Sequence, residues 1–528
     1  MNEALLAALV HGSPGSAGLV EVIQAEMREW RIGGVAIALV DDQRVVFADG
    51  LGDAARDSVF RVGSISKLFN AVAVMREAEA GRLDLDAPLP EDLRPLSPFP
   101  GAAGVTLRQI LCHRSGLPRE ASAGGYFDDS EPGLEAIVAS VRTSALVTRP
   151  GEKTRYSNMA PSLAGHMVER SSGRSFEDYQ RLALLGPLGM ESSAWTLARA
   201  ARDQIVTGGM RVADGRGGWT RRAPPLFDLG TIPAGNLFST VDDLAAFASA
   251  LLAGGAGVIK PETLREMWRP QLDTDEAGFG LGFLLSKFRG RRVASHTGAV
   301  YGYSTLLAIL PDEKLAVVAL CNEDIAAGRA RRMGDAALSA LIEAKFGERP
   351  PVTAPAPRAA IGMFEGDYES ESFWARIEAR DGTLIGDISG QPTRFTPLGD
   401  GQFAADSRVE SATPVAFDRD GAGAVAGFTM GTQRFLRVRE SAGALAPEWR
   451  ARLGSYGPSF IPLVVSERHG HLYAMTENMV DYRLTPLEGG ACAMPAGLYT
   501  DEKAVFPPGD GRFPRAVNFA NMMLARAR

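Results

Sequence analysis

Phe60-Arg-Val-Gly-Ser64-Ile-Ser-Lys67-Leu-Phe-Asn70 is the stretch from which the rest of the chain can be read. The chain holds seven lysines, at positions 67, 153, 260, 287, 314, 345 and 503, and only Lys67 has a serine three residues before it. Nearly all other basic residues are arginines, which stay protonated near neutral pH, whereas a partly buried lysine can give up its proton and act as a base. The apolar positions that follow (Leu68, Phe69, Val72, Val74, Met75) predict a helix starting near Ser64. The i, i+3 spacing then puts hydroxyl and amine on one helix face, a turn apart. A serine at a helix start also has a plain reading as an N-cap, and these few residues do not choose between the two.

The remainder of the composition narrows the field. At 528 residues the chain calls for two or three domains. A hydrophobic content of 45%, with 23% charged residues, is that of an ordinary globular protein. A net charge of −7 gives no footprint for nucleic acid or an anionic membrane, so neither is expected as a partner. Cys112, Cys321 and Cys492 are few and far apart, and the six histidines form no ligand motif. No metal, cofactor or disulfide framework is therefore expected. The start, Met1 to Val10, reads as an amphipathic helix and not as a secretory signal; with no long apolar run, a cytoplasmic location is the default expectation.

Gly33 to Val40, a turn at Asp41-Asp42, and Arg44 to Ala48 predict a β-hairpin ahead of the Ser64 segment. Helical patterns follow to about residue 270, among them 134–141, 161–169 and 242–252. Strands are then expected at 279–285, 293–296, 304–310 and 315–320, with a Pro311 to Lys314 turn and a closing helix to Phe346. The hairpin and the late strands should share one antiparallel sheet with the helices beside it, an α+β arrangement. The Pro-rich run at 348–358 marks a linker that ends a first domain at 1–347. Beyond it, Gly366-Asp-Tyr368 recurs as Gly454-Ser-Tyr456, Asp381-Gly382-Thr-Leu384 as His469-Gly470-His-Leu472, and Thr396-Pro-Leu398 as Thr485-Pro-Leu487. This repeat predicts two small antiparallel β-barrel-like domains, at 359–440 and 447–528.

Two further motifs follow Ser64 and Lys67 in order: Tyr156-Ser-Asn158, and His296-Thr297-Gly298 at a strand. Ser-x-x-Lys, Tyr-x-Asn and His-Thr-Gly together resemble the active site of penicillin-recognising serine hydrolases, in the branch with class C β-lactamases and D-peptidases. The resemblance covers roughly residues 15 to 345. Ile110 to Pro118, Pro187 to Met190 and Pro233 to Asp243 support it and are read as lying away from the chemistry. It implies that Ser64 is the nucleophile, that Lys67 and Tyr156 share its proton with the phenolate steadied by the ammonium, and that Asn158 hydrogen-bonds Lys67 and substrate. It implies an oxyanion hole from the N–H groups of Ser64 and Ala299, with Thr297 and Gly298 beside it.

His296 departs from the Lys-Thr-Gly of penicillin-hydrolysing members. A mostly neutral imidazole suits a substrate carboxylate less well than an ammonium does. A catalytic domain followed by two barrels is similar to three-domain D-stereospecific aminopeptidases. By that resemblance Glu477 or Asp481, in Met475 to Arg483, is a candidate for meeting a substrate amine. The expected activity is metal-free hydrolysis of amide bonds in short or unusual peptides through an acyl-enzyme on Ser64. A carboxylesterase with the same residues is the alternative, and a penicillin-binding sensor module a more distant one. A small peptide, amide or ester is the expected partner, and a homodimer is compatible with the chain.

Overall fold

The computed structural model describes residues 1–12, 17–100, 104–213, 218–271, 278–350, 361–399, 401–439, 443–507 and 514–527. Of the expected linker, residues 351–358 lie outside the described residues. The chain divides into two compact units, Met1–Met210 with Ala223–Pro350, and Arg211–Arg222 with Pro351–Arg528. The short paired strands Met210–Ala213 and Trp219–Arg222 thus fall mostly with the second unit, a discontinuity not visible in the linear pattern.

The first unit is built on a seven-stranded antiparallel sheet. Strands β1 (Gly34–Asp41) and β2 (Arg44–Gly52) form the expected hairpin, and β1 pairs along Leu315–Cys321 with Val35 opposite Cys321. Tyr303–Leu310, Arg291–Val300, Leu284–Phe288 and Gly278–Phe279 complete the order. Strand β1 is buried along nearly its whole length, as are Tyr303–Leu310 and Leu315–Cys321, which explains their unbroken apolar runs. Helices α1 (Glu3–His11), α2 (Leu19–Trp30) and the Ala327–Phe346 helix close one face, sharing a core of Leu6, Ile23, Val35, Leu306, Val317 and Leu341. Among the described residues, no helix is long and apolar enough to cross a membrane.

The single strand expected over 279–285 is two short strands instead. Gly282 has φ +88, and a Cβ there would lie 2.5 Å from Ala71 Cβ. The chain therefore bends where it passes helix α3 (Ser66–Glu79), a close approach that only glycine permits.

The second unit holds two eight-stranded antiparallel structures. The first runs from Gly366–Glu369 to Gln433–Arg437 and closes by pairing Tyr368 with Arg437. Phe364, Tyr368, Phe395, Phe403, Phe428 and Phe435 fill its interior. The second runs from Gly454–Tyr456 to Met522–Ala525, and a bridge between Tyr456 and Arg526 brings its ends together. The repeat seen in the sequence has a physical basis. Tyr368 and Tyr456 are fully buried, and each hydroxyl donates 2.7 Å to the carbonyl four residues upstream, of Phe364 and Arg452. Each ring lies under an arginine from the closing segment, Arg437 or Arg526. Asp381-Gly382 and His469-Gly470 both take positive φ at both residues, the tight hairpin turn that matches strand twist.

Candidate active site

The nucleophile candidate sits on a turn forced by its neighbours. Gly63–Ile65 is a single 3₁₀ turn, and the α-helix begins only at Ser66. Neither start carries a side-chain cap, so the N-cap reading of Ser64 does not hold. Ser66 fills a structural role: its hydroxyl donates to Gly63 O at 2.6 Å and accepts from Leu237 N at 3.0 Å. Ser64, by contrast, is partly exposed, with its Oγ 2.9 Å from Lys67 Nζ. Helix α3 is buried almost all round, which carries Lys67 into the interior.

The His-Thr-Gly strand lies hard against this turn. A Cβ on Gly298 would stand 2.0 Å from Val62 O and 2.3 Å from Thr305 Oγ1, while Thr305 Oγ1 itself donates to Val62 O at 2.9 Å. From the other side, Gly63 has φ +55, and a Cβ on it would lie 2.8 Å from Ala299 N. Two glycines in van der Waals approach thus bring the Ala299 amide beside the Ser64 turn.

Three oxygens surround Lys67 Nζ: Ser64 Oγ at 2.9 Å, Asn158 Oδ1 at 2.8 Å and the Ala234 carbonyl at 2.8 Å. Burial, reinforced by Arg119 and opposed by Glu120, pushes the amine well below the ordinary lysine range. A neutral amine has two N–H bonds and one lone pair. Asn158 Oδ1 and Ala234 O can only accept, so they take both hydrogens, and the lone pair is left facing the Ser64 hydroxyl. That is the geometry of a general base.

Tyr156 is hydrogen-bonded to Ser64 and is pushed up to about 12, because burial outweighs that bond and the nearby Arg119. The phenol therefore keeps its proton near neutral pH, so that of the two partners expected to share the Ser64 proton, Lys67 is the one whose environment favours accepting it. The Lys67 ammonium, once formed, lies 4.8 Å from the Tyr156 ring centroid, within cation–π range.

His113 and Ala234, in two stretches read as lying away from the chemistry, border the site, as do Arg119 and Glu120 just beyond the first stretch. His113 stacks on Tyr156 with centroids 4.2 Å apart, and its Nδ1 accepts from Ser157 N at 3.3 Å. The backbone N–H of Asn158 donates to Arg119 O at 2.7 Å. Glu120, only 1% exposed, accepts from Asn158 Nδ2 at 2.5 Å and pairs with Arg119 at 3.7 Å. Glu120 carries no motif of its own in the sequence, and its one signal is its place two residues after the Ile110 to Pro118 stretch.

His296 Nδ1 lies 2.6 Å from Thr297 O, and since a carbonyl only accepts, the proton is on Nδ1. Burial and Lys67 hold the ring down to about 4, so it is neutral at pH 7. Its Nε2 is buried without a hydrogen-bond partner.

Glu477 and Asp481 have partners inside the second unit. Glu477 accepts from Tyr499 Oη at 3.0 and 3.1 Å. Asp481 accepts from Trp374 Nε1 of the first barrel at 2.8 Å, its backbone N–H donates to Ser389 O at 2.9 Å, and burial pushes its carboxyl up to about 6. Asp481 is thus a link between the two barrels.

Comparison with known proteins places the chain in a family. A family model described as β-lactamase matches residues 19–342, more than half of the chain. The chain is 26% identical over 414 residues to an unguisins hydrolase of Aspergillus campestris, covering 68% of this chain and 76% of that one. It is 27% identical over 336 residues to the esterase EstB of Burkholderia gladioli, covering 56% and 80% respectively. Among solved structures it is similar in fold to an octameric penicillin-binding protein homologue from Pyrococcus abyssi, with a TM-score of 0.57 at 23% identity over 79% of this chain and 99% of that one.

Proposed function

The chain belongs to the β-lactamase family of serine hydrolases, and we propose that within it this protein hydrolyses amide bonds of short or unusual peptides through an acyl-enzyme on Ser64. The observation that carries the reading is the Lys67 environment: Nζ lies 2.8 Å from two oxygens that can only accept and 2.9 Å from Ser64 Oγ, so that in the neutral amine the lone pair faces the nucleophile. In the reaction Ser64 Oγ attacks the substrate carbonyl carbon as Lys67 Nζ takes the hydroxyl proton. The N–H groups of Ser64 and Ala299 receive the oxyanion that develops. The tetrahedral intermediate collapses by breaking the C–N bond, and Tyr156, a neutral phenol, donates a proton to the leaving amine while Lys67 reprotonates it. Water then attacks the acyl-enzyme by the same relay in reverse, releasing the acid.

The neutral His296 gives no fixed positive charge for a substrate carboxylate, which favours substrates without one near that strand. Free-amine peptides containing D-residues are the preferred class. The esterase among the relatives favours carboxylesters as the second class. Incubation with a fluorophosphonate followed by intact mass spectrometry tests the nucleophile. One adduct is expected, absent in Ser64→Ala; an adduct that persists in that variant overturns the assignment. Paired p-nitroanilides and p-nitrophenyl esters with L- and D-acyl groups then separate amidase from esterase action.

A further inference from the structure

We propose that Glu120 is a positioning residue that fixes which end of the Asn158 amide faces Lys67, and so keeps the Lys67 lone pair directed at Ser64. The proposal rests on the reading of Lys67 as the base of Ser64.

An asparagine amide has an accepting end and a donating end of almost the same shape, and only its hydrogen bonds decide which way it points. Here Oδ1 faces Lys67 Nζ at 2.8 Å and Nδ2 faces Glu120 Oε1 at 2.5 Å. With the amide reversed, Nδ2 would point its hydrogens at the amine. A neutral Lys67 would then have to accept from Asn158, and its lone pair would leave the Ser64 hydroxyl. The amide cannot reverse while Glu120 is ionised, because a carboxylate only accepts and would then meet Oδ1, acceptor against acceptor. In a buried site an unmade hydrogen bond of this kind is costly.

The surroundings hold Glu120 in place, beside a guanidinium whose charge favours the carboxylate. It is 1% exposed, lies 3.7 Å from the Arg119 guanidinium, and follows a residue whose carbonyl accepts the backbone N–H groups of Asn158 at 2.7 Å and Met159 at 3.2 Å. The main chain of residue 119 and the side chain of residue 120 therefore grip the same asparagine from two directions. The charged groups facing Lys67 are Glu120, which holds its proton on, and Arg119, which drives it off. Glu120 thus acts on Lys67 in two ways, through the orientation of Asn158 and through its charge.

Glu120→Gln separates these effects from packing. Glutamine has the same shape but both donates and accepts, so it tolerates either orientation of Asn158. The acylation rate by a fluorophosphonate and kcat for a p-nitrophenyl ester should fall by roughly 10- to 100-fold, with KM changed by less than about threefold. Loss of the negative charge should also move the acid limb of kcat/KM to lower pH, since Lys67 then sheds its proton more readily. The swap Glu120→Gln with Asn158→Asp gives Lys67 an acceptor whichever way the carboxylate at position 158 points, and lets the glutamine amide at position 120 donate to it. That double variant should recover at least about tenfold in acylation over Glu120→Gln alone, measured above the acid limb. The proposal is overturned if Glu120→Gln keeps a wild-type acylation rate and acid limb. It is equally overturned if the rate falls while the acid limb stays in place and the swap recovers nothing, as a purely structural role would require. An adduct that survives Ser64→Ala would instead sink the underlying reading, whatever Glu120 does.

Discussion

Gly298→Ala adds one methyl group where the structure has no room for it. The new Cβ would stand 2.0 Å from Val62 O and 2.3 Å from Thr305 Oγ1, against a closest ordinary approach of about 3.0 Å. One obstacle is backbone, and the other is a hydroxyl already bonded to that same carbonyl. No rotamer change relieves the clash, so the Arg291–Val300 strand and the Val62–Ser64 turn must separate by about 1 Å. This strand is paired on both sides, Gly298 with Thr305 and Ser295 with Leu284, so the shift falls mainly on the turn that carries Ser64. Overpacking of this kind costs about 1–3 kcal/mol of stability, a Tm decrease of a few degrees. The larger effect should be on chemistry, because a 1 Å misplacement of nucleophile against oxyanion donor costs about 10²-fold, or ~2.7 kcal/mol of barrier. Stopped-flow acylation by an activated p-nitrophenyl ester, alongside a thermal melt, reads both quantities. A folded Gly298→Ala that acylates within threefold of wild type would show that the contact between strand and turn does not set the reactive geometry.

Three more outcomes are expected from the site, and one from the barrels. Lys67→Arg keeps a charge that cannot be shed, and should reduce kcat by about 10²–10⁴-fold; a kcat near wild type would show that the proton goes elsewhere. In the wild type, kcat/KM should rise with pH as Lys67 deprotonates and should not turn down as pH reaches 9, since Tyr156 is pushed up to about 12; a fall there would place the acid elsewhere. With His296 neutral, cephalosporins and penicillins should be poor substrates beside amides or esters lacking a carboxylate, and equal kcat/KM values would contradict this. Asp481, pushed up to about 6 by burial and by Asp387, binds its proton more tightly folded than unfolded. Its ionisation therefore costs stability as pH rises from about 4 through 6, and that cost is fully present at pH 7. Asp481→Asn, which keeps an acceptor for Trp374, should raise stability at pH 7–8 by roughly 1–3 kcal/mol and lose that advantage below about pH 4. A melting difference independent of pH would refute this account.

The linear chain by itself determined much of this protein. Ser64 and Lys67 are three residues apart on one helical start, so their meeting needs only local geometry, and the residue types of Tyr156, Asn158 and His296-Thr297-Gly298 carry their own chemistry. The all-buried strands announced themselves as unbroken apolar runs, and the two barrels through a repeat that fixes a glycine, a tyrosine and a turn in each. Other features had no local signature. The Ala234 oxygen is a backbone carbonyl, present in every residue type, and becomes a ligand of Lys67 only because a distant loop passes within 2.8 Å. His113 and Glu120 matter through the segment that wraps around residues 155–159, and Asp481 became a junction residue through Trp374, 107 positions away. The proton's preference was also decided in three dimensions: burial raised Tyr156 and lowered Lys67. Burial is a property of the packed fold, and desolvation acts on a charge only once the chain has closed around it.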